Sequence, residues 1–182
     1  MGALFAGVGC GVRYAMLYLG VSLGICIQSA GVVVPTYDPA NIKVAFIYNF
    51  TKFVQWPTET LNSEQTFPIC IFGDTSYAQA AQVLDSKNVF DLPISVKLNP
   101  EQSTISGCRV AFISASFGKA EAVLQTAASY PILTIVENSE GGMVNIFERD
   151  NKVRFNADML KAGAVGLGFS ARILQLAEKV TR

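Results

Sequence analysis

The sequence predicts a single α/β domain with a mainly parallel sheet covered by helices on both faces, a Rossmann-like three-layer sandwich that ends in an antiparallel hairpin. Short, continuous apolar runs alternate with amphipathic segments, which is typical of buried parallel strands joined by helices. Near the C-terminus, turn residues bracket two strand-like runs. The chain has 182 residues, of which 51% are hydrophobic and 15% charged. This size and composition suit one domain with a substantial core.

The first element is a helix predicted over residues 38–57. Asp38 can accept a hydrogen bond from an otherwise unpaired backbone N–H, and Pro39 suits the first helical position. Pro57 disfavours helical geometry at Trp56, so the helix is expected to end there.

Apolar residues occupy two sides of this helix. One side carries Ile42, Ala45, Phe46, Asn49, Phe50, Phe53 and Trp56, and the opposite side carries Ile47 and Val54. One sheet contact would not cover both sides. The helix is therefore either packed between two layers or keeps some aromatic side chains for a partner.

The remaining elements follow from the same patterns. Strands are predicted at 67–72, 94–98, 110–114 and 132–136, with helices at 76–84 and 117–129. Residues 143–148 and 152–156 form the predicted hairpin, bounded by Gly141-Gly142 and by the turn Arg149-Asp150-Asn151. A last helix is predicted over 170–180, capped by Ser170 and placing four apolar residues on one side. These residues are Ile173, Leu176, Ala177 and Val180.

Charge and histidine content limit the possible functions. Lysine plus arginine and aspartate plus glutamate number 14 each, so no excess charge attracts nucleic acid. The chain contains no histidine. This excludes histidine-dependent catalytic pairs, histidine metal sites and histidine pH switches.

The N-terminal region is predicted to be an export signal. Residues 14–34 carry no charge, and the small residues Ser29 and Gly31 allow cleavage after position 31, which leaves a domain at 32–182. Two alternatives remain open. The run is long enough for an uncleaved membrane anchor, and Leu23-Gly24-Ile25-Cys26 resembles a lipoprotein signal in part.

The cysteines indicate a disulfide. Of the four cysteines, Cys10 and Cys26 would be lost with the signal, which leaves Cys70 and Cys108. In an oxidising compartment we expect these two to be bonded. The alternative is a pair of buried thiols.

No residue pattern predicts catalysis, a cofactor or a metal. The turn from Gly73 to Ser76 lies where open α/β sheets bind ligands, but it lacks a phosphate-binding motif. Ser114 and Ser116 have no base nearby in sequence. Glu137, Glu140 and Glu148 resemble solvated loop carboxylates rather than a paired acid and base, so the chain is predicted not to be an enzyme.

The chain resembles the YfiR-type proteins, which are periplasmic repressors of membrane-bound diguanylate cyclases. The resemblance spans nearly the whole chain after residue 37. The matching positions are Ala45-Phe46-Ile47-Tyr48-Asn49-Phe50, Lys52-Phe53, Trp56-Pro57, Gly141-Gly142-Met143, Val153-Arg154-Phe155, Gly166-Leu167, Ser170, Leu174, Leu176-Ala177 and Val180.

This resemblance implies a periplasmic protein that binds the periplasmic region of an inner-membrane diguanylate cyclase and lowers cyclic-di-GMP synthesis and biofilm formation. An outer-membrane lipoprotein is the implied partner that relieves repression. Alternatively, the same surfaces form a homodimer.

The expected contact residues are Phe46, Phe50 and Trp56, with Arg154 and Phe155 as a second group. Arg154 is alternatively a structural residue that forms a salt bridge to Asp158 or Glu148. The main alternative function is a periplasmic small-molecule-binding or sensor module that uses the mouth of the sheet near Gly73 and Ser114.

Overall fold

The computed structural model describes residues 38–62 and 65–182, so the predicted export signal at 1–31 lies outside the described residues. The helices are α1 (Pro39–Phe53), α2 (Thr58–Asn62), α3 (Thr75–Ala81), α4 (Ala120–Ala127), α5 (Met159–Ala164) and α6 (Ala171–Leu174), with 3₁₀ turns at Gln82–Leu84 and Gln102–Gly107. The strands are β1 (Val54–Gln55), β2 (Phe67–Phe72), β3 (Asn88–Val89), β4 (Leu92–Leu98), β5 (Val110–Ile113), β6 (Leu133–Glu137), β7 (Val144–Arg149), β8 (Lys152–Asp158), β9 (Gly168–Phe169) and β10 (Lys179–Thr181). In this described part of the chain, no helix has the length and apolar character that a membrane-spanning segment requires.

One eight-stranded sheet organises the domain, in the order β10-β8-β7-β6-β5-β2-β4-β3. The five strands from β7 to β4 in this order run parallel, whereas β8 is antiparallel to β7 and β3 is antiparallel to β4. Strands β2, β5 and β6 are buried along their whole length, as expected for parallel strands covered on both faces. The predicted α/β sandwich with a C-terminal hairpin is confirmed.

Helix α1 begins as predicted, because the Asp38 carboxylate accepts a hydrogen bond from the Ala40 N–H at 3.0 Å. It ends at Phe53, earlier than expected, and the chain then forms β1, which pairs with β9. The buried face also differs from the predicted aromatic side. It is centred on Val44, Ile47, Phe50 and Thr51, whereas Ala45 and Asn49 are exposed. The face that packs on the sheet is therefore rotated from the predicted aromatic side but still includes Phe50.

The predicted C-terminal helix is wrong beyond its first turn. Helix α6 ends at Leu174, and β10 then pairs in parallel with β8. The Glu178 N–H donates to the Phe155 carbonyl at 2.9 Å, so the free edge of β8 provides the backbone hydrogen bonds that continuing the helix would have supplied. Leu176, expected to face inward, is 70% exposed.

The two faces of the sheet are covered unequally. Helices α1 and α3 pack over a large core that extends from β2 to the hairpin and includes Phe50, Phe112 and Phe155. The other face has a smaller core under α4, in which Cys70 and Cys108 form a disulfide. The hairpin strands β7 and β8 contribute no residue to this second core.

Candidate functional site

The aromatic residues of α1 pack largely inward. The rings of Phe46, Phe50 and Phe155 form a cluster, with Phe50 and Phe155 in edge-to-face contact at a centroid distance of 4.9 Å. Phe50 is 1% and Phe155 4% exposed. The expectation that these two contact a partner is corrected, because burial in the core leaves them no surface to offer. Phe46 is half-buried and remains at the surface.

Trp56 lies beyond the end of α1 and is half-buried. Its ring packs edge-on against Phe67 at 5.4 Å between centroids. The indole N–H donates to the Thr51 carbonyl at 3.2 Å. Trp56 therefore packs between α1 and β2, and only part of its ring is exposed.

Arg154 is exposed on β8, opposite Phe147 of β7. Among the described residues it takes part in no ion pair, and the salt bridge expected with Glu148 or Asp158 does not form. The reason is geometric: Glu148 alternates to the other face of the sheet, and Asp158 caps α5 by accepting from the Lys161 N–H at 3.0 Å. The guanidinium group is therefore exposed to solvent without a carboxylate partner among the described residues.

Arg154 belongs to a sheet surface that we call the open hairpin face, which consists of Asn145, Phe147, Arg154, Asn156 and Lys179. Strand register places all five side chains on the side of the sheet opposite α1. Arg154 and Lys179 are exposed, and the other three are half-buried. The side-chain oxygens of Asn145 and Asn156 are buried and accept no hydrogen bond from the described residues. Both line a cavity of about 170 Å³.

A second polar region lies at the carboxyl ends of β2, β5 and β6, which we call the crevice. Its centre is Glu137, which sequence reasoning placed among solvated loop residues and which is only 7% exposed. Its carboxylate forms an ion pair with Lys43 of α1. It also accepts from the Tyr77 hydroxyl at 2.8 Å and from the Ala115 N–H at 3.0 Å. Three donors therefore satisfy the buried charge.

These contacts determine the ionisation of the pair. Burial disfavours the charged form of Glu137, but the hydrogen bonds from Lys43, Ala115 and Tyr77 outweigh it and hold the pKa of Glu137 below its ordinary value. Burial, followed by the hydrogen bond to Glu137 and its charge, raises the pKa of Tyr77 far above its ordinary value. Glu137 is thus an ionised acceptor and Tyr77 a neutral donor, rather than an acid and a base near neutral pH.

The turn that sequence reasoning considered for ligand binding is also occupied by the protein itself. Asn99 binds both backbone groups of Gly73, accepting from its N–H and donating to its carbonyl at 2.9 Å each. A β-carbon at Gly73 would lie 2.9 Å from Ser114 Oγ, so the two turns are closely packed. Ser114 Oγ lies 2.9 Å from Ser116 Oγ. In the described residues no group of histidine, cysteine and carboxylate side chains is arranged to hold a metal ion.

Sequence reasoning missed Lys43 and Tyr77 as partners of Glu137. A lysine within the apolar side of α1, one turn before Ile47, was the available signal, because buried lysines require a partner. The partner itself is 94 positions away in sequence, and local patterns do not report such a distance.

The fold and these two regions define a three-layer α/β domain with a closed crevice and an open sheet face. Residues 40–178 match the model of the YfiR/HmsC-like family, and the chain therefore belongs to that family. The family is regulatory rather than catalytic and is associated with the control of diguanylate cyclases from the periplasm. A comparison with curated proteins finds no match.

Proposed function

We propose that this protein is a periplasmic negative regulator that binds the periplasmic region of an inner-membrane diguanylate cyclase and represses cyclic-di-GMP synthesis. The observation that carries the proposal is the family match over residues 40–178, which spans nearly all of the described domain. The disulfide between Cys70 and Cys108 fits an oxidising compartment such as the periplasm.

Repression through the membrane requires only a difference in affinity. If the protein binds the inactive periplasmic conformation of the cyclase more tightly than the active one, the population of the cyclase shifts toward the inactive form. A shift from 1:99 to 99:1 needs a difference of about 5.5 kcal/mol. An outer-membrane lipoprotein that competes for this protein would lower its free concentration and restore synthesis.

The open hairpin face is the contact surface that we favour for the cyclase. Among the described residues, its exposed cations Arg154 and Lys179 form no ion pair, and the buried side-chain oxygens of Asn145 and Asn156 accept no hydrogen bond. A partner that supplies a carboxylate would pair with the two cations. Phe46 and Trp56 lie on the opposite side of the sheet, so one flat contact cannot include them together with Arg154.

The small-molecule-binding alternative has less support. The cavity over the crevice measures about 280 Å³ and is bordered by the carboxylates of Asp38 and Asp74. Glu137 and Asn99 already use the polar groups with which open α/β sheets hold ligands.

Deletion of the gene in a strain that expresses the proposed partner cyclase tests the proposal. Cyclic-di-GMP and biofilm matrix should rise, and the wild-type gene in trans should restore repression. Arg154→Glu, exported at the same level, should not restore it, whereas Lys119→Glu, a charge reversal at an exposed site on α4's N-terminus, should. Unchanged cyclic-di-GMP after deletion would refute the repressor function.

A further inference from the structure

The opposite edge of the sheet carries a second candidate interaction surface. Strand β4 pairs with β2 over residues 94–98, but β3 covers its outer side only at Leu92 and Pro93. Beyond these, the Ile94 N–H points away from β2 and donates to the Lys87 carbonyl. The Asn99 N–H points toward β2 and donates to the Ile71 carbonyl. By alternation, the backbone groups of the intervening Val96 and Leu98 point outward. No strand in the described part of the chain pairs with them.

A partly apolar groove runs beside this unpaired edge. The side chains of Val96 and Leu98 form one wall, and Ala78 and Ala81 with the polar Gln79, Gln82 and Asp85 form the other, around a cavity of about 250 Å³. Leu98 is 46% exposed, and Val83, on the adjoining 3₁₀ turn, is 54% exposed. A free strand edge next to an apolar groove is the arrangement that binds extended peptides by strand addition.

The charge of Lys97 favours some partner strands at this edge over others. Its side chain is exposed and alternates to the face opposite the groove. A second copy of the chain that paired Val96 with Leu98 about a two-fold axis would place Lys97 directly opposite its own copy. Like charges opposite each other destabilise a strand pair, so the edge disfavours self-association, as exposed edges of soluble proteins generally do. An acidic residue at the facing position would instead be attracted.

We propose that the outer edge of β4 binds an extended segment of another protein, which adds a strand to the sheet. The segment would carry an apolar–acidic–apolar alternation, with the apolar side chains in the groove and the acidic one opposite Lys97. This surface lies at the far end of the sheet from the open hairpin face, and the inference does not depend on the proposed repression of a cyclase.

The probe is an acetylated and amidated eight-residue peptide with a Val-Glu-Val centre flanked by threonines. Binding to the exported protein is measured by amide chemical shifts and by calorimetry. The shifts should be largest at Val96 and Leu98. The same peptide with lysine at the central position should bind about tenfold more weakly, because a favourable cross-strand pair becomes a repulsive one.

Two protein variants and one modified peptide make the result specific. Lys97→Glu should reverse the preference between the two peptides, whereas Lys119→Glu should leave it unchanged. A peptide methylated at the backbone nitrogens that face the edge should lose binding, because it cannot donate to the strand. The proposal is overturned if no shift occurs at Val96 and Leu98 at peptide concentrations on the order of 1 mM, if the methylated peptide binds equally well, or if Lys97→Glu keeps the wild-type preference.

Discussion

The crevice and the open hairpin face differ in whether their buried polar atoms receive hydrogen bonds. In the crevice, the buried carboxylate of Glu137 receives hydrogen bonds from Lys43, Tyr77 and Ala115. On the hairpin face, the buried oxygens of Asn145 and Asn156 receive none from the described residues. An unsatisfied buried polar group costs about 1–3 kcal/mol. The polar groups of the first region are therefore satisfied within the protein, whereas those of the second are not satisfied by the described residues.

This difference runs against the usual location of function in open α/β folds, where ligands bind beyond the carboxyl ends of the strands. Here that position is the crevice, which is filled by Glu137 and its partner Lys43 from α1. The surface with unsatisfied polar groups is instead the open hairpin face, toward one end of the sheet. This arrangement suits a protein that binds another protein through a sheet face and uses its crevice for stability.

The largest expected effect on stability comes from removing the Cys70–Cys108 disulfide. This bond lies in the smaller core under α4, on the same face of the sheet as the open hairpin face. The bond closes a loop with a sequence separation of 38 residues, for which the chain-entropy model gives about 4 kcal/mol. Cys70→Ala with Cys108→Ala should lower the free energy of unfolding by about that amount in urea titrations. Free thiols at Cys70 and Cys108, located by alkylation of the unreduced, unfolded protein and mass analysis of its peptides, would contradict the assignment.

Breaking the crevice should have the next largest effect. Lys43→Met removes the cation and leaves Glu137 buried without its strongest partner, at a cost of about 3 kcal/mol. The double variant Lys43→Met with Glu137→Gln should recover part of this loss, because the charge that lacked a partner is gone. A destabilisation below about 0.5 kcal/mol, typical of surface positions, would show that the crevice is not closed.

Lowering the pH should reduce the contribution of Glu137 to the free energy of unfolding. Because the pKa of Glu137 in the folded protein is lowered below its ordinary value of 4.5, its contribution to stability is present above that value and is lost as the pH falls toward the folded-state pKa. The stability gap between wild type and Glu137→Gln should therefore be widest near neutral pH and should shrink below about pH 4.5. Urea titrations across this range measure the gap. A gap that stays constant would contradict a lowered pKa.

Changes on the open hairpin face should have the smallest effect on stability. Arg154→Glu replaces an exposed side chain that has no ion-pair partner among the described residues, so the free energy of unfolding should change by less than about 0.5 kcal/mol. Thermal unfolding of the variant beside Lys119→Glu checks this. A loss comparable with that of Lys43→Met would mean that Arg154 has a structural role.

The parts of the fold that could be predicted from sequence are those in which local pattern and burial agree. The apolar runs of β2, β5 and β6 predicted these strands because they are buried on both faces. Residues 175–180 could not be assigned in this way. Their helical pattern is overridden by pairing with β8, a contact that depends on where the sheet ends.

The candidate site was less predictable for the same reason. Strand register assigns Arg154 to the face opposite α1, and its side chain is exposed there; local sequence pattern alone does not give this exposure. The burial of Phe50 and Phe155 depends on α1 packing against β8, and the state of Glu137 depends on Lys43. Each of these contacts joins residues far apart in the chain.

The most direct test of the account is the affinity of the purified protein for the isolated periplasmic region of the proposed partner cyclase. We predict that Arg154→Glu weakens this binding by at least about tenfold, because reversing the charge places repulsion in the interface. Lys119→Glu and the folded crevice variant Glu137→Gln should bind as the wild type does. If Arg154→Glu binds with unchanged affinity, or if only the crevice variant loses binding, the open hairpin face is not the contact surface and the central claim is wrong.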